Sequence, residues 1–132
     1  MSKAQPFAMT LSSRTLAWVE EEASRLGRSR CAIVEALAVE AARMRRFPGI
    51  AFRALDYAQR AWLIGTAFDV WEIVEAYQAM GPRRMMEEGD LQEREISLAL
   101  AYYHEYPEEV DQAIHANRVA KEKLRHSMGN EA

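Results

Sequence analysis

The amino end of the chain has the hydrophobic pattern of a β-strand. In residues 7–11, FAMTL, the apolar side chains at positions 7, 9 and 11 alternate with Ala8 and Thr10, and side chains two positions apart lie on one face of a strand. A lone strand leaves its backbone N–H and C=O groups without partners, and no second strand is predicted nearby in the sequence. We therefore expect this strand to pair with one from elsewhere.

Two helices are predicted directly after this strand. The stretch SSRTLAWVEEEASRLG starts with serines that suit an N-cap and ends at Gly27, which suits the left-handed position after a helix. Ser29 suits the N-cap of a second helix, predicted from Arg30 to about Arg46. Apolar residues cover most of the circumference of this second helix. It should therefore be buried from several directions, most simply against a second copy of the chain.

After residue 47 the pattern predicts a short hairpin and then a helix. Pro48-Gly49 ends the preceding helix, and residues 50–53 and 61–64 suit two short strands. Asp69 and Glu72 form a pair like a capping box at the start of the next helix. That helix is predicted to end near a Gly-Pro pair, with one or two further turns up to residue 88.

Two more helices complete the predicted elements. Asp90 and Glu93 repeat the capping arrangement before the first of them. Pro107 fits the first turn of the last helix, which is predicted to run to about residue 126. Three methionines between residues 80 and 86 suit either a soft contact surface or the filling of gaps beside a helix turn.

The stretch YYHEYPEEVDQAIH raises the question of a metal or catalytic site. His104 and Glu108 are four residues apart, but Pro107 interrupts the backbone between them. Asp111 and His115 supply only two of the three or four ligands that a stable metal site needs. The sequence also lacks a phosphate-binding glycine loop and a Gly-x-Ser-x-Gly elbow. We predict no metal, no cofactor and no catalytic residue, and therefore not an enzyme.

Charge and composition add a division into two modules. The net charge of the 132-residue chain is −3, but residues 1–47 carry +3 and residues 48–132 carry −6, which indicates different partners for the two parts. Cys31 is the single cysteine, so no intramolecular disulfide forms and a cytoplasmic location is expected. No secretory leader and no apolar run of about 20 residues is present, so no membrane association is expected.

The order of elements in residues 7–46 resembles the ribbon-helix-helix family of DNA-binding dimers. The resemblance is carried by FAMTL, SSRTLAWVEEEASRLG and RSRCAIVEALAVEA. It implies an intertwined homodimer in which two FAMTL strands pair antiparallel, and this supplies the partner that the strand needs. The dimer-interface residues that it implies are Phe7, Met9, Leu11, Ile33 and Leu37.

The same resemblance implies a surface for operator DNA. Ala8 and Thr10 would face the major groove. Arg28, Ser29 and Arg30 would hold a phosphate at the start of the second helix through backbone amides and charge. Because the outward strand positions are mostly apolar, they offer few base contacts, and DNA binding is expected to be mainly electrostatic.

Residues 64–114 resemble the small helix-turn-helix-like domain of VapB-type antitoxins, long catalogued as a domain of unknown function. The matching positions are Gly65-Thr66, Val70-Trp71, Gly81, Leu91, residues 99–103 and residues 107–109. The expected fold is mainly α. A ribbon-helix-helix domain (residues 1–47) would precede a three-helix, helix-turn-helix-like domain with a short β-hairpin (48–114), followed by a basic C-terminal helix and tail (115–132).

The resemblance implies a type II antitoxin that neutralises a toxin, often a PIN-domain ribonuclease, and regulates transcription of its own operon. The predicted toxin-binding residues on the last helix are Arg118, Lys121, Leu124 and Arg125. They combine a thin apolar stripe with cations that suit an acidic active site. The alternative is a stand-alone dimeric DNA-binding regulator, in which this last helix has no partner.

Overall fold

The protein, described by a computed structural model over residues 3–129, is mainly α-helical with a small two-stranded antiparallel sheet. The chain divides into two compact units between Val39 and Glu40. The elements are α1 (Ser13–Leu26), α2 (Arg30–Arg46), β1 (Ile50–Phe52), β2 (Ala61–Leu63), α3 (Val70–Glu88), α4 (Glu93–Glu105) and α5 (Pro107–Gly129).

Both helices that start in the first unit begin at the predicted serine caps. The Ser12 side chain accepts a hydrogen bond from the Thr15 N–H at 3.3 Å, and the Ser29 hydroxyl oxygen accepts one from the Ala32 N–H at 3.0 Å. Gly27 has φ 64°, the left-handed conformation that ends α1. The predicted bounds of α1 and α2 are confirmed, because these local capping signals are strong.

The predicted strand at residues 7–11 does not form within a single chain. Residues 3–12 form neither helix nor strand. In the described part of the chain, the backbone of residues 5–11 makes no hydrogen bond to another backbone group. Phe7 and Met9 are 84% and 54% exposed. Pairing of this segment with a second copy stays a prediction.

The hairpin at the start of the second unit is confirmed, with each strand one residue shorter than predicted. Ile50 pairs with Leu63, and Phe52 with Ala61. Ile50 and Leu63 are both buried. Gly49 has φ 109°, and a Cβ there would lie 2.8 Å from the Leu98 side chain, so glycine satisfies both the turn and the packing.

A buried carboxylate joins this hairpin to α3. Asp69 is fully buried and precedes α3 as its N-cap, and the Glu72 side chain accepts a hydrogen bond from the Asp69 N–H at 2.9 Å. Arg60 donates to the Asp69 carboxylate at 2.6 Å, and Arg53 lies 3.5 Å from its other oxygen. The two arginines compensate the buried charge. Gly81, with φ 77° and ψ 169°, divides α3 where a break was predicted.

The start of α4 differs from its predicted capping pair. The N-cap is Gln92, whose N–H donates to the Glu95 side chain at 2.9 Å, in place of Asp90 and Glu93. Asp90 has φ 54°, whereas an N-cap needs an extended backbone. The predicted cap was therefore wrong by two residues, although a capping box with glutamate at its third helical position does begin α4.

The second unit has a core formed by the hairpin, α3, α4 and the first half of α5. Its buried residues are Ile50, Ala61, Leu63, Val70, Ile73, Val74, Met85, Leu91, Ile96, Ala99, Tyr102, Val110 and Ile114. α5 begins at Pro107 as predicted and continues without a break to Gly129.

A hydrogen-bonded cluster fixes α5 against the rest of this unit. Tyr102 is completely buried, and its hydroxyl donates to Glu109 at 2.6 Å. Arg43 donates to the same carboxylate at 2.6 Å and to the Tyr102 hydroxyl at 3.0 Å. Burial, and then the Glu109 carboxylate, raise the pKa of Tyr102 well above its ordinary value, so its hydroxyl stays a donor. The end of α2, α4 and α5 meet here.

Candidate partner-binding surfaces

The last turns of α5 extend away from the core. Val110 and Ile114 are buried, but every residue from 121 to 129 is exposed. Leu124 and Met128, one turn apart, are 63% and 64% exposed. We call residues 121–129 the α5 overhang. A helical segment without packing gains little stability from its own unit, so its apolar side chains are available to a partner.

The predicted toxin-binding cations lie along one side of α5. Arg118, Lys121 and Arg125 follow the i, i+3, i+7 spacing that aligns side chains on a helix. Arg118 lies 3.6 Å from Glu75 of α3 and keeps 62% of its side chain exposed. With the residues that the structure describes, Lys121 and Arg125 form no ion pair. The four predicted toxin-binding residues, the three cations and Leu124, therefore all lie in the second half of one helix, α5.

Sequence reasoning missed Met128 and, elsewhere on the second unit, a groove. The spacing from Leu124 to Met128 was a usable signal for the first. The groove has a volume of about 940 Å³ and lies between α3 and α5. Its apolar lining includes Trp71, Met80 and Leu91. We call it the α3–α5 groove.

Charged residues of opposite sign line the two sides of the α3–α5 groove. Glu72 and Glu75 lie on α3, and Arg118 and Lys121 lie on α5.

The three methionines for which the sequence suggested a contact surface or gap filling lie in different surroundings. Met80 lines the groove, Met85 is 2% exposed and Met86 is 41% exposed.

The predicted DNA-binding residues are all exposed in the first unit. These residues are Ala8, Thr10, Arg28, Ser29 and Arg30. Arg30 forms an ion pair with Glu20 at 3.1 Å, which reduces the positive charge that it offers. Arg28 has no such pair among the described residues. The hydroxyl oxygen of Ser29 is used as the cap of α2.

The predicted dimer-interface residues divide between a groove and the interior of the first unit. Phe7, Met9 and Leu11 line an apolar groove of about 810 Å³ together with Val34. Ile33 is 0% exposed and is already buried within one chain. Leu37 is half-buried. The groove and residues 7–11 together offer an apolar surface, and packing of a second copy on it stays a prediction.

The stretch around Pro107 serves the structure. Tyr103 donates to the Asp111 carboxylate at 2.7 Å, and Glu109 belongs to the cluster with Arg43. Across residues 3–129, no group of three or more His, Cys, Asp or Glu side chains has an arrangement able to hold a metal ion. In the same residues, no helix combines the length and the apolar character that crossing a membrane requires.

Comparisons of the chain with protein-family models, with curated proteins and with solved structures found no match.

Proposed function

We propose that the protein is the antitoxin of a type II toxin-antitoxin system, which binds its toxin through the end of α5 and regulates its own operon as a dimer. The observation that supports this most is the α5 overhang. It carries Lys121, Lys123 and Arg125 beside the exposed apolar residues Leu124 and Met128. A solvated helix with this composition suits an acidic partner that also offers an apolar groove.

The chemistry suits a PIN-domain ribonuclease as the toxin. The active site of such a ribonuclease is a cluster of carboxylates that hold a metal ion. Arginine presents a planar guanidinium that bridges two carboxylates, whereas lysine offers a point charge. Arg118 and Arg125 are therefore the side chains that we expect to block the toxin, with Leu124 packed beside them.

The first unit supports the dimer and the DNA-binding parts of the proposal. Its Phe7 and Met9 side chains are exposed and line an apolar groove, and the backbone of residues 5–11 makes no hydrogen bond to another backbone group of the described chain. Antiparallel pairing of two copies would cover these apolar side chains and give the backbone groups hydrogen-bond partners. Arg28 and the exposed start of α2 would then offer phosphate contacts.

The test is copurification from the native operon with the product of the neighbouring reading frame. A chain that ends at Asn117 loses the overhang and Arg118 but keeps the core of the second unit. We expect it to stay folded and dimeric while it no longer binds or silences the neighbouring protein. A chain that ends at Gly129 is the control and should behave as the full-length protein.

Two outcomes would contradict this proposal. If the chain ending at Asn117 still silences the toxin at full strength, the overhang is not the binding surface. If the full chain binds operator DNA but copurifies with no protein, the stand-alone regulator is favoured.

A further inference from the structure

The α3–α5 groove has the size and lining of a helix-binding site. A helix with its side chains is about 10 Å across and rises about 5.4 Å per turn, so 940 Å³ corresponds to roughly two turns. Trp71 and Met80 are apolar side chains of its lining, and methionine adapts its shape to a partner. An amphipathic helix lying in an apolar groove is a common mode of recognition.

The charges of the groove define the chemistry of that helix. Arg118 and Lys121 make the α5 side basic, and the same row continues along the overhang to Arg125. Glu72 and Glu75 make the α3 side acidic. A partner helix would therefore carry carboxylates along the edge beside α5, with its apolar face against the apolar lining. The overhang of a second copy fits less well, because its cations would lie against those of α5.

We propose that the α3–α5 groove receives an amphipathic helix of the toxin, with an apolar face on Trp71 and Met80 and an acidic edge against Arg118 and Lys121. This inference rests on the proposed function and deepens it. Toxin binding would then use the second unit itself as well as the overhang. The Arg118–Glu75 ion pair, 3.6 Å long and exposed to solvent, would open as the carboxylates of the partner replace Glu75.

Two exposed alanines allow a matched test. Ala79 of α3 lines the groove, and Ala101 of α4 lies outside it. The full-length chain and the product of the neighbouring reading frame would be titrated by calorimetry. We expect Ala79→Glu to weaken the complex about 30-fold, which is the loss typical of changes at the centre of a protein–protein interface. Ala101→Glu should change the affinity less than twofold. Both positions are exposed, so neither change disturbs the core.

A photo-crosslinking amino acid at position 79 gives an independent readout. In the purified complex it should crosslink to a helical segment of the neighbouring protein that carries Asp or Glu about one turn from the crosslinked residue. A crosslink to a second copy of this chain, or to no protein, would overturn the inference.

The outcomes separate this inference from the function on which it rests. If the chain ending at Asn117 loses binding while Ala79→Glu and Ala101→Glu both bind like wild type, the groove is excluded and the proposed antitoxin function stands. If the wild-type chain binds no neighbouring protein, both proposals fail. If Ala79→Glu alone of the two alanine variants loses binding, the groove proposal is supported.

Discussion

Replacing Tyr102 by phenylalanine tests the cluster that fixes α5. The change removes only a hydroxyl, which donates to Glu109 at 2.6 Å and accepts from Arg43 at 3.0 Å inside the protein. Arg43 still pairs with the other Glu109 oxygen, so one carboxylate oxygen loses a donor while the ion pair survives. The neighbouring Tyr103 provides a matched control, since its hydroxyl bonds to Asp111 at the surface.

The expected cost follows from the burial of this hydrogen bond. A hydrogen bond to a charged group contributes about 1.5–3 kcal/mol. The Arg43 and Glu109 side chains remain 17% and 26% exposed, so water replaces part of the loss and we expect about 2 kcal/mol. In a unit of this size, that free energy lowers the unfolding midpoint by roughly 8–16 °C. Tyr103→Phe should cost about 0.5 kcal/mol or less.

Unfolding of the second unit can be followed by tryptophan fluorescence in a Trp18→Phe background, which leaves Trp62 and Trp71 as reporters. The raised pKa of Tyr102 makes its contribution dependent on pH. Its stabilising effect is fully present below the ordinary pKa of 10.0 and is lost as the pH rises through the higher folded-state pKa. The penalty of Tyr102→Phe should therefore shrink above pH 10. Equal losses for Tyr102→Phe and Tyr103→Phe at pH 7 would refute the reasoning.

Three further predictions concern α2. Burial raises the pKa of Glu40, and its Oε1 atom accepts no hydrogen bond from the described residues. Glu40→Gln should therefore stabilise the fold by under about 1 kcal/mol at pH 7, and by nothing below pH 4, where the carboxyl group is protonated. Denaturant titration checks this, with the exposed Glu35→Gln as control, and a loss of stability at pH 7 would contradict it. Leu37→Glu should abolish the dimer by burying an unpaired charge, and sedimentation at micromolar concentration checks this; a monomeric wild type would end the idea. Arg30→Ala should flatten the salt dependence of DNA affinity by up to roughly one ion, whereas tight operator binding with a shallow slope in the wild type would show that the contacts are not mainly electrostatic.

Elements with strong local signals were predictable from the sequence. Serine caps fix the starts of the first two helices, Gly27 fixes the end of α1, and Pro107 fixes the start of the last helix. The prediction at Asp90 was wrong because aspartate is common both at helix N-caps and at turn positions with a left-handed backbone. The φ angle that distinguishes the two is set by the turn and cannot be read from the residue type.

The same distinction holds for the candidate sites, where features of one continuous segment were predictable and contacts between distant residues were not. The basic row of α5 and the exposed Leu124 follow from helical spacing along one segment. The α3–α5 groove brings Trp71 and Arg118 together across 47 positions of sequence, and the cluster joins Arg43 to Glu109 across 66. Spacing along the chain holds no information about such contacts. The burial of Ile33 within one chain could not be predicted either, because hydrophobic periodicity does not distinguish packing in a chain's own core from packing against a partner.

The exposure of residues 121–129 has a consequence for how long the protein survives in a cell. Proteases cut unfolded segments, and a few unpacked helical turns unfold locally at little cost in free energy. The overhang is therefore the natural place for degradation to begin while the chain is alone. A partner that covers Leu124 and Met128 removes this entry point. Under the proposed function, occupancy of this surface would set both the activity of the toxin and the lifetime of this chain.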